Sequence, residues 1–363
     1  MKKLFKTVLP FVLAVLMLAS CASAPAAPAT EAATQPATQP TETVMATEEA
    51  DASTYPVSVK TFDDSLKHVE MVFEKAPEKV VCVSLNNVQN MIALGLTDKI
   101  VMAMNVRSAQ VLPQYREEFE KIPVVYEKMT TKEDVVAAQP DFILGWWSTF
   151  DPENMGDIYF WNDRDVKTYM SYNSGCAKEE DAEYVTDNYI EREYLDILNL
   201  GRIFHVEEKA EAIVNEMKAK VEKGKEYASQ SDEKKVVILE DEGDVFRIYG
   251  EDTIGGQIAT ELGANLVAKT RKERKSAEEL IELNPDIIFG IHFGANSSSL
   301  NDKNCFDAFE NNPALQNITA YKEGNMIPTD LTLVYSPGVG LLESLDFFTA
   351  HLYPDLVAQD TNS

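Results

Sequence analysis

The chain has 363 residues and a formal net charge of −27, which arises from 33 basic and 60 acidic side chains. So acidic a protein lacks the cationic surface that phosphate backbones need, and this excludes a nucleic acid as its partner. The acidity indicates instead a well-solvated surface that anionic lipids repel.

The N-terminal segment predicts export. A short basic start precedes an apolar run from Val8 to Leu18, which is too short to span a bilayer and is typical of a signal peptide over residues 1–20. The sequence Leu-Ala-Ser before Cys21 resembles the bacterial lipobox, in which the cysteine becomes the lipidated first residue after cleavage. The alternative is an ordinary signal peptide with a chance cysteine. Acyl chains on Cys21 would hold the protein on the extracytoplasmic face of the cell membrane.

Residues 21–54 predict a tether. Beyond the cysteine, this segment consists mainly of Ala, Pro, Thr, Glu and Gln, with hardly a large apolar residue. It cannot bury enough surface to offset its ordering entropy, so we expect it to be disordered. About three hundred residues follow, which is enough for two ordinary lobes.

A repeated segment indicates that the two lobes are related. Glu133 to Gly145 and Glu278 to Gly290 share a glutamate that leads by seven positions to Pro-Asp, three apolar residues and glycine. In each copy we expect a short helix that stops at the proline. A short strand buried on both faces then follows, as in a parallel sheet.

Further matching segments complete the pattern. An apolar strand is predicted at residues 79–84 and another at 234–239, each followed by a helix that ends in Leu-Gly. The same order of elements in both halves predicts two α/β lobes, at residues 55–205 and 231–363. Between them, apolar residues recur at three- and four-residue spacing over residues 206–230, which predicts one long connecting helix. An ordinary helix of one lobe is the alternative.

This ordered set of segments resembles the substrate-binding lipoproteins of ABC importers for iron–siderophore complexes, haem and cobalamin. The resemblance covers about Val57 to Pro354 and includes Ala-Pro-Glu-Lys-Val-Val from Ala76 and Ile-Gly-Gly-Gln-Ile from Ile254. It implies two Rossmann-like lobes with parallel sheets, joined by one long α-helix, with a ligand cleft between them. It also implies a monomer without an intrinsic cofactor that delivers an iron(III) chelate to the permease and ATPase of an ABC importer. Haem and cobalamin are the alternative ligands.

In that family each lobe offers a carboxylate to basic residues of the permease, and Glu133 and Glu278 match those positions. The alternative is that each glutamate is present only because an acidic side chain stabilises the first turn of a helix.

Two positions depart from the family. Gln89 stands where many relatives carry glutamate, and Ser336-Pro-Gly-Val stands where relatives for anionic siderophores often have Gly-Pro-Arg. The missing arginine weakens the case for a strongly anionic siderophore.

In open α/β folds, ligands bind beyond the carboxyl ends of the strands. Residues in the corresponding loops are therefore candidates for ligand contacts: Asn105, Arg107, Trp146, Trp147, Arg247, Tyr249, His292 and Tyr335. The adjacent indoles suit a large flat or chelated ligand, or one of them belongs to the core. The arginines either bind ligand carboxylates or form surface ion pairs. The tyrosines either contact the ligand or pack in the core. The histidine either ligates haem iron or cobalt or forms hydrogen bonds within the protein.

The remaining cysteines and histidines carry less information. Cys176 and Cys305 lie in loop-like surroundings and are candidates for one disulfide outside the cell. That the two cysteines remain unpaired is an equally good interpretation. The four histidines are far apart in sequence, so a bare metal ion fits poorly as the ligand.

The chain has neither a Gly-x-Ser-x-Gly elbow nor a Gly-x-Gly-x-x-Gly loop. An exported enzyme is therefore the less favoured alternative, and we expect no catalytic residues.

Overall fold

The computed structural model describes residues 55–174, 186–271, 273–292, 305–335 and 337–361. The described residues all belong to one compact unit. The predicted signal peptide, Cys21, the tether and Cys176 lie outside the described residues. Within the described ranges, no helix is both long and apolar enough to cross a bilayer.

A β-hairpin that the sequence analysis did not predict begins the folded body. Its strands β1 (Val57–Phe62) and β2 (His68–Phe73) pair antiparallel. The hairpin is fixed to the first lobe because the hydroxyl of Thr61 accepts a hydrogen bond from the backbone N–H of Met170 at 2.8 Å. The side chain of Thr61 is fully buried in this contact.

The first lobe contains a parallel five-stranded sheet. Its strands are β3 (Val80–Val83), β4 (Ile100–Met104), β5 (Val125–Tyr126), β6 (Phe142–Gly145) and β7 (Lys167–Met170). They lie in the order β5-β4-β3-β6-β7. Its helices are α1 (Leu85–Ala93), α2 (Arg116–Phe119), α3 (Lys132–Ala137) and α4 (Ile158–Asn162). Every residue of β3 and β6 is buried, as expected for central strands covered on both faces.

Two helices in succession connect the lobes. The first, α5 (Tyr189–Phe204), ends where His205 takes a left-handed conformation with φ of 52°. The second, α6 (Glu207–Ala228), confirms the long helix predicted over residues 206–230. One face of α6 is buried: Ala210, Val214, Met217, Val221, Gly224 and Tyr227.

The second lobe confirms the predicted parallel sheet over four of its strands and adds antiparallel pairing at one edge. Its strands are β8 (Lys235–Asp241), β9 (Phe246–Ile248), β10 (Asn265–Leu266), β11 (Arg274–Lys275), β12 (Ile287–His292) and β13 (Met326–Asp330). Strands β8, β10, β12 and β13 are parallel, but β9 is antiparallel to both β8 and β11. The connection from β8 to β9 is a short turn, and a short turn can join only antiparallel strands.

The helices of the second lobe complete the fold. They are α7 (Ile254–Glu261), α8 (Ala277–Leu283), α9 (Asp307–Asn311), α10 (Thr319–Glu323), α11 (Leu341–Leu352) and α12 (Pro354–Thr361). The main hydrophobic core extends through both lobes, with Val81 of β3 and Ile238 of β8 among its members. A smaller core contains Val237 and Leu239, the alternate residues of β8, because successive side chains of a strand point to opposite faces.

The repeated sequence segment forms the same local structure in both lobes. The carboxylate of Asp141 accepts hydrogen bonds from the backbone N–H groups of Glu78 and Lys79 at 2.9 and 2.8 Å, just before β3. In the second lobe, the carboxylate of Asp286 accepts from the N–H of Lys235 at 2.9 Å, at the start of β8. The repeated aspartate therefore fixes the register of two neighbouring parallel strands in each lobe.

Candidate functional site

A cavity of about 290 Å³ opens between the lobes, at the carboxyl ends of β3, β4 and β6. Residues of the first lobe that follow these strands or lie in α1 form one wall: Ser84, Asn86, Gln89, Asn105 and Trp146. The segment after β13 forms the opposite wall: Leu331, Thr332, Leu333, Tyr335 and Pro337. The volume is at the lower end of the range for sites that enclose small-molecule ligands.

Trp146 connects the two walls. Its indole Nε1 donates a hydrogen bond to Asn86 Oδ1 at 2.8 Å. Its ring centroid lies 5.6 Å from that of Tyr335, with the planes tilted by 49°. Because the indole N–H is already bonded to Asn86, Trp146 offers a ligand its aromatic surface rather than a hydrogen-bond donor. The ring of Tyr335 is 38% exposed and belongs to the opposite lobe, so a ligand here would contact both lobes.

Two residues in left-handed backbone conformations lie side by side in the first wall. Ser84 has φ of 78° and Asn105 has φ of 57°. Asn105 Nδ2 lies 3.4 Å from Ser84 Oγ, which is a long hydrogen bond. Non-glycine residues rarely adopt this conformation, and they concentrate at functional sites when they do. Arg107 lies two residues further along the same loop, half-buried, and does not belong to the cavity wall.

Trp147 points away from the cavity, although it is adjacent to Trp146 in sequence. Its indole Nε1 donates to the backbone carbonyl of Asp64 at 2.9 Å, in the turn of the N-terminal hairpin. There it borders a separate surface pocket with Lys67 and Asp151. The backbone of Trp146 is extended, and consecutive side chains of an extended chain point in opposite directions. The structure therefore brings one of the two predicted indoles into the cavity.

Arg247 and Tyr249 are on the β9 side of the second lobe, and neither belongs to the cavity wall. Arg247 forms the surface ion pair that was its alternative interpretation, since its guanidinium lies 2.6 Å from Glu242 Oε1. Tyr249 is buried, and its hydroxyl donates to Glu240 Oε2 at 3.3 Å. Burial and the charge of Glu240 raise the pKa of Tyr249.

His292 is the last residue of β12 and pairs in register with Asp330 of β13. It is half-buried and does not belong to the described cavity wall, and residues 293–304 after it lie outside the described part of the chain. Of the eight residues predicted to contact a ligand, the structure thus brings three together at the cavity: Asn105, Trp146 and Tyr335.

Helix α1 contains a layer of buried amides that was not predicted from the sequence. Its members are Asn86, Asn87, Gln89 and Asn90, each no more than 3% exposed. Gln89 Oε1 accepts a hydrogen bond from the N–H of Leu112 at 2.8 Å, and Asn87 Oδ1 accepts one from the Ser171 hydroxyl at 2.7 Å. Asparagine has weak helix propensity and amide side chains are usually exposed, so four of them in one short helix after a buried strand were the available signal.

Buried hydrogen bonds fasten the second wall of the cavity to the first lobe. Glu193 of α5 is fully buried, and its carboxylate accepts from the N–H of Gly338 at 2.7 Å and from Asn173 Nδ2 at 2.6 Å. Asn90 Oδ1 accepts from the N–H of Val339 at 2.7 Å. The segment that contains Gly338 and Val339 is therefore held against α1 and α5 from both sides.

A second buried carboxyl group lies in the same helix and bonds within the first lobe. Asp196 lies one helical turn beyond Glu193 and accepts a hydrogen bond from the Tyr169 hydroxyl at 2.9 Å. Burial and the neighbouring charge of Glu193 raise the pKa of Asp196 well above its ordinary range.

Glu133 and Glu278 occupy equivalent exposed positions in the first turns of α3 and α8. Each helix begins with a capping box, but the acidic residues that close the boxes are Asp134 and Glu279. Among the described residues, neither Glu133 nor Glu278 has a hydrogen-bond or ion-pair partner. Each lobe thus presents one exposed carboxylate that helix capping does not use.

The cysteines and the remaining polar clusters add no further centre in the described ranges. Cys305 is buried in the core of the second lobe, and burial raises the pKa of its thiol to about 11. Its pairing with Cys176 stays a prediction, because Cys176 lies outside those ranges. No group of three His, Cys, Asp or Glu side chains in them is arranged to hold a metal ion.

Two α/β lobes, a long connecting helix and a cavity walled by both lobes define a bilobal ligand-binding protein. Comparison with known proteins identifies the family. The chain belongs to the periplasmic binding protein family, whose sequence profile matches residues 80–331. The solved structure of a periplasmic binding protein from Veillonella parvula is 31% identical in sequence, with a TM-score of 0.74, and the match covers 84% of this chain and 93% of that one.

Two curated proteins of Bacillus subtilis are also similar to this chain. The uncharacterized ABC transporter substrate-binding lipoprotein YvrC is 26% identical over 307 residues, which cover 83% of this chain and 87% of YvrC. The petrobactin-binding protein YclQ is 25% identical over 277 residues, or 74% of this chain and 79% of YclQ. These matches confirm the resemblance to substrate-binding lipoproteins of ABC importers. Members of this family bind the substrates of transporters and are not enzymes. In an ABC importer they work with a permease and an ATPase.

Proposed function

We propose that this chain is a lipid-anchored protein that captures an iron(III) chelate between its lobes and delivers it to the permease of an ABC importer. The observation that carries the proposal is the cavity at the carboxyl ends of the strands, walled by Trp146 and Tyr335 from opposite lobes. Similarity to a petrobactin-binding protein supports a siderophore complex as the ligand. Lipidation of Cys21 would keep the body on the extracytoplasmic face of the membrane.

The contacts expected for the chelate follow from the walls. Trp146 and Tyr335 supply aromatic surface to the flat faces of the ligand. Asn105 supplies an exposed amide, and Arg107 lies near it in the same loop. Trp147, Arg247, Tyr249 and His292 are less favoured as contacts than the sequence suggested, since they are not in the described cavity wall.

A panel of ligands tests this proposal. The mature chain carrying Cys21→Ser, which cannot be lipidated, is heated with ferric siderophores, haem, cobalamins or free metal ions. A ligand at 100 times its Kd stabilises the folded state by about 2.7 kcal/mol, so a saturable rise in Tm is expected with ferric siderophores. A rise with only haem or cobalamin would reassign the ligand. No rise with any member of the panel would overturn the chelate proposal.

Glu133 and Glu278 are the proposed contacts to the permease. One exposed carboxylate on each lobe allows a partner with basic residues to recognise both lobes together, and such contacts contribute mainly orientation and association rate. Replacing either residue by arginine should lower uptake in cells by about tenfold or more without changing the affinity for the ligand.

A matched control separates docking from a general change in charge. Glu211→Arg makes the same charge change at an exposed position on α6, and uptake should remain at the wild-type level. Wild-type uptake by both Glu133→Arg and Glu278→Arg would refute the docking roles and leave the ligand proposal standing.

A further inference from the structure

The polar groups in the cavity wall share one property. Among the lining residues that the structure describes, every polar side chain is an amide or a hydroxyl: Ser84, Asn86, Gln89, Asn105, Gln110, Thr332 and Tyr335. The other lining residues are apolar or aromatic, or are glycine. Amides and hydroxyls both donate and accept hydrogen bonds, so this wall is suited to carbonyl and amide groups and supplies no net charge.

Carboxylates lie directly behind the second wall. Glu193 is hydrogen-bonded to the N–H of Gly338, next to the lining residue Pro337. Asp330 caps the turn that contains the lining residue Thr332 and accepts hydrogen bonds from its N–H at 2.9 Å and from its hydroxyl at 2.7 Å. Both acids stabilise the wall by accepting hydrogen bonds from it. The acidic groups that hold this wall from behind are therefore two carboxyl side chains.

These surroundings disfavour an anionic ligand. An ion that enters the cavity loses hydration, and this loss is costly unless a compensating charge or hydrogen bonds replace the water. Neither Arg107 nor Arg247 is in the described cavity wall, Arg247 forms an ion pair with Glu242, and the chain as a whole carries a net charge of −27. The local wall and the long-range field thus both oppose a negatively charged ligand.

We infer that the cleft selects an iron(III) chelate without net negative charge, of which ferric trihydroxamates are the type. Three hydroxamate groups each carry one negative charge and together neutralise the iron, whereas three catecholates leave a strongly anionic complex. The amide groups of Asn105 and Gln110 suit the carbonyl and amide edges of such a ligand, and Trp146 suits its apolar face. This inference rests on the proposed function, because it specifies the charge of the proposed chelate.

Two ferric complexes, one neutral and one anionic, test the inference. The Cys21→Ser chain is titrated with ferrichrome, a neutral trihydroxamate complex, and with ferric enterobactin, an anionic tricatecholate complex. Calorimetry should show ferrichrome binding at least about 100-fold more tightly, with an affinity that depends little on salt. Quenching of tryptophan fluorescence by ferrichrome should be reduced in Trp146→Phe, because the other two tryptophans, Trp147 and Trp161, bond to groups elsewhere.

A charged variant of the wall makes the test sharper. Gln110→Lys places a cation in the lining, and the preference for the neutral over the anionic complex should fall by about tenfold. The matched control is Gln230→Lys, which makes the same change at an exposed position just beyond α6 and should leave the preference as in the wild type.

The outcomes separate this inference from the proposed function. Wild-type protein that binds ferric enterobactin as tightly as ferrichrome, or more tightly, would overturn the charge selection while leaving a chelate-binding protein. Failure to bind any ferric complex would overturn both the charge selection and the chelate proposal. An equal loss of preference in Gln110→Lys and Gln230→Lys would assign the selection to net charge and overturn the role of the cavity wall.

Discussion

Replacement of Gly338 by alanine tests the junction that holds the second cavity wall against the first lobe. Gly338 has φ of 58°, in the left-handed region that favours glycine. A Cβ atom at this position would overlap Asn90 Oδ1 and would lie 3.0 Å from Asn90 Cγ and 3.1 Å from Asn86 Cβ. Because Asn90 also accepts the hydrogen bond of Val339, alanine cannot be accommodated without disturbing that bond.

The expected loss of stability has two components. A left-handed conformation costs a non-glycine residue about 1–2 kcal/mol. Displacement of the segment would also weaken the bond from the N–H of Gly338 to the buried carboxylate of Glu193, and a hydrogen bond to a charged group contributes about 1.5–3 kcal/mol. We therefore expect Gly338→Ala to lower the free energy of unfolding by about 2.5–5 kcal/mol.

Equilibrium unfolding in urea, followed by circular dichroism, measures this loss. Gly324→Ala is the matched control, because Gly324 has φ of 77° but a Cβ atom added there would meet no neighbour within 4 Å. The control should lose only the conformational contribution of about 1–2 kcal/mol. Equal losses in the two variants would refute the argument that the close contact with Asn90 and the bond to Glu193 stabilise the junction.

Three further predictions concern single side chains. Trp146→Phe should weaken chelate binding about tenfold in titration calorimetry while Trp147→Phe stays within about twofold, and equal effects would contradict the assignment of one indole to the cavity. Burial and the charge of Glu193 raise the pKa of Asp196 in the folded state, so the folded state binds this proton more tightly than the unfolded state does. The resulting stabilisation is complete below the pKa of the unfolded state and declines as the pH rises toward the pKa of the folded state. Asp196→Asn should therefore remove part of the fall in unfolding free energy with rising pH, as measured by urea unfolding; an unchanged pH dependence would count against this. Because Cys305 is buried and the pKa of its thiol is raised to about 11, iodoacetamide in the presence of a phosphine reductant should label it only after unfolding, as mass spectrometry of the labelled peptides will show.

The repeated elements were predictable because their signals are local. In each copy a proline ends the helix, and the next three residues are apolar because the strand is buried on both faces. Asp141 and Asp286 add a contact to the neighbouring strand, which explains why the repeat extends past the proline. The hairpin of β1 and β2 and the antiparallel strand β9 were not predicted. The hairpin is joined to the first lobe by tertiary contacts such as the one between Thr61 and Met170, which no local sequence pattern reveals, and β9 has only three residues.

The site was only partly predictable, because its geometry depends on the direction of each side chain. The rule for carboxyl ends identifies loops, so it selected Trp146 and Trp147 equally, although only one faces the cavity. Arg247 was selected because it follows β8 in sequence. However, Arg247 lies within β9, which runs antiparallel to β8, so the rule for loops after parallel strands does not apply to this residue.

The buried amides explain why the cavity and the lobe junction depend on each other. Asn86 bonds to the indole of Trp146 in one wall, and Asn90, one helical turn further along α1, bonds to the segment that carries the other wall. A movement of the lobes relative to each other would have to break the bond of Asn90 and the buried bond of Glu193, which would leave polar groups without partners in the interior. The lobes are therefore expected to move little when the ligand binds, and a ligand is recognised by walls that the amides of α1 have already positioned.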